Sequence, residues 1–150
     1  MPLPPAIPDL LRAALAQVSA EEGSVLLAET AGLRFACCVA PAAPNRESKL
    51  VGHLVPRGRG IVGLAFAFQQ PMTAGDVKSD PTHDQSVDAA VGSHTQSEMV
   101  VPLSTPMREY GVLTAINAAG GGFSARDLDA LTTCAAAVTA LLAEAEASHA

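Results

Sequence analysis

The sequence predicts an α+β domain, on three observations. Two pairs of short apolar runs, Ser24–Thr30 with Leu33–Ala40 and Ser97–Leu103 with Tyr110–Asn117, are each joined by a tight turn, through Ala31-Gly32 and Thr105-Pro106. Strands joined so closely pair antiparallel. In the first run Ser24, Leu26 and Ala28 share one face and Val25 and Leu27 the other. Apolar groups on both faces mean a sheet covered on both sides, and segments of helical spacing stand at each end of the chain to cover it.

Composition narrows the class. With 150 residues, 49% hydrophobic and 16% charged, the chain is one domain with a real core, not a disordered segment. A net charge of −6 without a basic run argues against nucleic acid and anionic membrane as partners. The N-terminus, M-P-L-P-P-A-I-P-D, has no basic n-region of a secretory signal, and no apolar run approaches the roughly 18 residues of a membrane span. Three cysteines, two of them adjacent, make no disulfide framework, which points to a reducing, cytoplasmic setting.

Taken in order, residues 1–8 read as a loose Pro-rich lead-in. Asp9 reads as the N-cap of a first helix over 9–20, with Leu11, Leu15 and Val18 as its stripe. The hairpin follows, then a loop over Pro41–Asn45. From Val55 to Phe68 the chain turns a strand-to-helix corner: Pro56 ends a strand, Gly58 and Gly60 permit a sharp turn, and Ile61, Leu64, Ala65 and Phe68 make a helical stripe. Gly58-x-Gly60-x-x-Gly63 matches a dinucleotide fingerprint, and Asp80 follows at the right distance. That reading needs a buried strand before the motif and a parallel strand after the helix; here Gly52 and His53 interrupt the preceding run, and Gln69-Gln70-Pro71 leads only to a short extended piece at Met72-Thr73. Arg57 and Arg59 beside the helix start are read as surface charges on a tight turn in preference to an anion site.

The stretch Gly75–Gln96 is polar, without periodicity, and carries Asp76, Asp80, His83, Asp84, Asp88 and His94. A loop of this length is functional or disordered, and Asp80-Pro81 suggests a short helix inside it. Ala119–Gly122 is a break. Ser124 and Asp127 form a capping box that opens a last helix over 125–147. There Leu128, Leu131, Ala135, Val138, Leu142 and Ala145 make a seam, which either packs on the sheet or pairs with a second copy.

The order of these elements resembles the GAF domain family over about Ala14 to Ala145. The motifs are Pro56-Arg57-Gly58-Arg59-Gly60-Ile61-Val62-Gly63, Gln70-Pro71, Asp76-Val77, Asp80-Pro81, Val101-Pro102-Leu103, Gly111-Val112-Leu113 and Ile116-Asn117. The resemblance implies a central antiparallel sheet of five or six strands with helices on both faces. It also implies a small-molecule pocket beneath the Gly75–Gln96 loop and dimerisation through terminal helices. By position in the family, the implied ligand-contacting residues are Ser24, Cys38, Ile61, Val62, Asp84, Asp88, Val91, Thr95 and Thr114.

Branches of the family can be weighed residue by residue. The cyclic-nucleotide branch carries N-K…F-x-x-x-D-E; Asn117, Phe123 and Asp127 match, but Ala118 and Leu128 stand at the Lys and Glu positions. Few aromatics are available to stack a purine. The free methionine sulfoxide reductase branch shares the corner, yet its cysteine positions hold Gly52, Val62 and the neighbourhood of Val87. Its chemistry requires a thiolate and a resolving thiol. Cys37 and Cys38, adjacent on a strand, point to opposite faces, and Cys134 lies in a helix. A bilin would need a loop cysteine that is absent; haem or metal would fall to His94 or His83, with no ligand signature to support it. The resulting expectation is a non-catalytic sensory or regulatory domain with an unidentified small ligand and no assigned cofactor or metal. It works as a homodimer, orders its polar loop on binding, and reports through its terminal helices to a separate output protein.

Overall fold

The β1–β2 hairpin is the centre of the molecule. β1 (Ala20–Glu29) and β2 (Gly32–Val39) pair antiparallel, and β1 pairs on its other side with β6 (Arg108–Ala118). β5 (Glu98–Thr105) forms the second hairpin with β6, while β3 (Leu54–Pro56) and β4 (Met72–Ala74) are the short edges. The six-stranded sheet runs β3-β2-β1-β6-β5-β4, every pairing antiparallel. Among the described residues the helices are α1 (Ala6–Gln17), α2 (Pro44–Leu50), α3 (Gly60–Phe68) and α4 (Ala125–Ser148). This computed structural model describes residues 3–75, 96–119 and 121–148. The short helix expected at Asp80-Pro81 and the candidates Asp84, Asp88, Val91 and Thr95 lie outside them, as do His83 and His94.

Each face of the sheet has its own core. On one, Val25, Cys37, Val39, Met99, Val101, Leu103, Leu113 and Ala115 pack with Ile7, Leu11 and Leu15 of α1 and Leu131, Val138 and Leu142 of α4. On the other, Leu26, Leu33, Phe35, Cys38, Val100 and Val112 pack with Ile61, Val62 and Ala65 of α3. The expected alternation along β1 therefore holds, and Cys37 and Cys38 do face opposite ways. A slip of register leaves Ala36 without a partner between Val25↔Cys37 and Leu26↔Phe35. This bulge switches the parity of β2, so Leu33 and Phe35 share a face with Cys38.

Several expectations need correction. The first helix starts at Ala6, not at an Asp9 cap, and ends at Gln17. Pro8 misleads here: in a first turn its missing N–H has no intrahelical partner to lose. Asp9 instead pairs with Arg12 at 3.1 Å. Ala20 to Gly23, polar enough to pass for a helix end and turn, already belong to β1. The loop expected at Pro41–Asn45 gives way at Pro44 to α2. In α3 the buried residues are Ile61, Val62, Gly63 and Ala65, and Phe68 is 69% exposed. The segment G-I-V-G-L-A-F-A-F has no polar residue to mark its outer side, so spacing alone chose the wrong stripe. Finally, α4 is long and apolar enough by length and composition to cross a membrane; its Leu131–Val138–Leu142 stripe is already packed on the sheet.

Candidate functional site

The α3 face carries a row of polar side chains across its centre. Ser24 lies opposite Cys38 on β2 and opposite Thr114 on β6, and Thr114 in turn lies opposite Val100. One step along the strands is a second row on the same face, in which Glu22 and Glu98 both pair with Ile116. Ser24 and Thr114 are each 2% exposed, and Glu22 and Glu98 are buried with them. Ile61 and Val62, in the first turn of α3, join the same cluster as Cys38. Five expected contact residues, Ser24, Cys38, Ile61, Val62 and Thr114, thus converge on one face.

The chemistry of this face is hydrogen bonding on an apolar ground. Thr114 Oγ1 is buried and has no hydrogen-bond partner among the described residues, a state that costs about 1–3 kcal/mol. Arg46 of α2 donates to Glu22 across the end of the row, an ion pair whose side chains are mostly buried. α2 is held in turn by Glu47, which accepts the Ala40 N–H at 2.7 Å. Glu22, Glu98 and Arg46 were missed from sequence. Glu22 was findable: it stands two residues before Ser24, on the same face of a strand, had β1 been started four residues earlier.

Asn117 fixes the frame of this site. It adopts the left-handed conformation (φ 60°), and its Oδ1 accepts from the N–H groups of Gln96 at 2.7 Å and Ser97 at 3.3 Å. Its Nδ2 donates to Glu21 at 3.0 Å. One side chain thereby joins the starts of β1 and β5 to the end of β6. Asp127 is the capping-box acid, accepting the Ser124 N–H at 2.8 Å while Ser124 Oγ accepts the Asp127 N–H.

Thiol chemistry is poorly provided for. All three cysteines are free and buried. Burial pushes the Cys38 thiol up to about 11, a bond with Ser24 opposing it and the Glu22 carboxylate adding to it. Cys37 is likewise pushed up to about 11 by burial, with Glu47 adding and Arg12 opposing. Burial raises Cys134 too, and its thiol lies 3.6 Å from the Leu10 carbonyl. A thiol with a pKa near 11 is ionised to about one part in ten thousand at pH 7, far below the thiolate content of reactive cysteines. Among the described residues no cluster of His, Cys, Asp and Glu could hold a metal ion.

Among the described residues, an antiparallel six-stranded sheet with α1 and α4 on one face and α3 with a buried polar row on the other defines an α+β domain. A sequence model of the GAF domain matches residues 6–143, and the chain belongs to the GAF domain family. Solved structures share the fold. The GAF domain of a phosphoenolpyruvate-protein phosphotransferase from Coxiella burnetii is 18% identical with a TM-score of 0.82, over 96% of this chain and 84% of that one. Free methionine-R-sulfoxide reductase from Neisseria meningitidis is 22% identical with a TM-score of 0.73, over 95% and 78%. The GAF domain of a two-component sensor histidine kinase from Bacillus halodurans is 15% identical with a TM-score of 0.73, over 95% and 97%. At these identities the likeness is one of fold.

Proposed function

We propose that this chain is a non-catalytic sensory or regulatory GAF domain that binds a small molecule on the α3 face of its sheet. The observation that carries the reading is the Cys38–Ser24–Thr114 row, with a buried Thr114 hydroxyl unpartnered among the described residues. A hydroxyl kept there at a cost, where valine would fit, is accounted for by a ligand that completes its bonding. Relatives in sensor kinases and in a phosphotransferase system support a regulatory role. The molecule works as a homodimer through its terminal helices and passes the bound state to a separate output protein. Leu131, Val138 and Leu142 are buried against the chain's own sheet, so the dimer contact uses the outer sides of α1 and α4.

The test is native mass spectrometry of the protein purified from its own source, read for a retained small molecule and for subunit number together. A bound mass on a dimer is expected, and Thr114→Val is expected to lose the bound mass. Persistence of the same mass in Thr114→Val removes the site. A strict monomer by light scattering at high concentration removes the dimer. The reductase reading is tested separately: reduction of free methionine sulfoxide is expected to be absent, and activity that disappears with any one Cys→Ser change would overturn the non-catalytic assignment.

A further inference from the structure

Away from the polar row, a groove of about 380 Å³ opens between α3 and the turns of the two hairpins, within the range of roughly 300–1,000 Å³ typical of small-molecule pockets. Its floor is apolar: Leu33, Phe66, Ala67 and the backbone of Gly63. Gly63 lets the corner close down on α3 at one wall, since a Cβ there would meet the Gly58 backbone carbon at 2.7 Å. Charge is confined to the rim. Glu29 is already satisfied by Arg34, which donates to it at 2.9 and 2.7 Å. Arg57 and Glu109 are different: both line the groove, and neither has an ion pair or side-chain hydrogen bond among the described residues.

The position of Glu109 is built in. The register of β5 and β6 slips between Leu103↔Gly111 and Ser104↔Glu109, leaving Tyr110 without a partner. Tyr110 joins the α1–α4 core, and the bulge turns Glu109 to the α3 side, where it lines the groove. Arg57 follows β3 and Glu109 lies in β6, three strand positions apart in the sheet order, or about 14 Å at 4.7–4.9 Å per strand. A cation and an anion, each unpaired among the described residues, at opposite ends of an apolar floor call for the reverse pattern in the occupant.

We propose that this groove is a second binding site, for a zwitterionic apolar molecule of dipeptide size, its carboxylate at Arg57 and its ammonium at Glu109. Two residues of extended chain span about 7 Å, which leaves the two side chains to bridge the rest. The site does not depend on the polar row of the other reading. Calorimetric titration of the full chain with Leu-Leu tests it, with N-acetyl-Leu-Leu and Leu-Leu-amide as probes that each lack one charge. Leu-Leu is expected to saturate one site. Blocking either end, or changing Arg57→Gln or Glu109→Gln, is expected to weaken binding by about fivefold, the ceiling for an exposed ion pair. Ala67→Trp, from an exposed position, is expected to abolish it, and Thr114→Val to leave it unchanged. Circular dichroism checks that each variant is folded. No saturable binding of Leu-Leu, blocked probes as tight as the parent, insensitivity to both rim changes, or loss on Thr114→Val would each overturn the proposal.

Discussion

Thr114 concentrates the physical question of this molecule in one oxygen atom. Its methyl and Cβ sit in a β position that valine would fill with the same shape, while its hydroxyl is buried without a partner among the described residues. Thr114→Val is therefore expected to stabilise the ligand-free protein by about 1–3 kcal/mol, raising Tm by about 2–4 °C per kcal/mol; a melting curve checks it, and a fall in Tm would contradict it. The cysteines make a second prediction. Their folded-state pKa is raised, so below about pH 9 both folded and unfolded chains hold the protons. Between about 9 and 11 the unfolded chain releases them while Cys37 and Cys38 keep theirs, and stability falls as pH rises through that window. Denaturant midpoints at pH 8, 10 and 11 are expected to decline, and the decline to shrink in Cys37→Ala and Cys38→Ala variants. Of the candidate site, Ser24, Cys38 and Thr114 are named from family position alone, and the strand registers place the three in one row. Arg46 was not legible, since nothing in Pro-Asn-Arg-Glu-Ser-Lys-Leu says which charge of an exposed-looking helix will turn inward to Glu22.

Elements with local punctuation read correctly, and those whose limits are set by tertiary contact did not. The α4 start is punctuated: Ser124 and Asp127 exchange hydrogen bonds, and Ser124→Ala is expected to cost about 1 kcal/mol, measurable by chemical denaturation. Both hairpins are likewise marked by their turns. α1 is the contrary case, because a proline in the first turn looks like a barrier in sequence and is harmless in structure. The β1–α1 contact shows what fixes it. A Cβ on Gly23 would stand 2.5 Å from the Thr114 carbonyl oxygen and 2.8 Å from Leu15 Cδ2. Gly23→Ala is expected to push α1 off the sheet and destabilise by about 1–3 kcal/mol, with faster amide exchange in α1 as the direct readout. Neither bulge was legible, since nothing in the residue types around Ala36 or Tyr110 marks where the register slips. The edges needed no side-chain signature either: β3 and β4 are three residues each, and α2 lies against β2 where β3 ends, which denies the sheet a long open edge.

At the scale of the whole molecule, two cores share one sheet, so neither face can be lost without the other. The only tyrosine, Tyr110, belongs to the α1–α4 side, and there is no tryptophan; tyrosine fluorescence therefore reports one face and far-ultraviolet dichroism both. Their melting transitions are expected to coincide, as for a two-state domain, and a fluorescence change preceding the dichroism change would show the faces uncoupled. Arg108 and Tyr110 both reach Glu146 near the end of α4, with the guanidinium 5.1 Å from the ring centre, tying the last turns of that helix to β6. The Asn117 clamp has a wider consequence. Ala74 and Glu98 face each other across β4 and β5, and the two amides before Glu98 are anchored by a residue of another strand. The chain thus leaves the described scaffold beside β4 and rejoins it beside β5 at neighbouring points. Because positions 75 and 96 flank that paired point, a chimaera that exchanges the stretch between them is expected to keep the six-stranded sheet, with far-ultraviolet dichroism and the melting midpoint as the check.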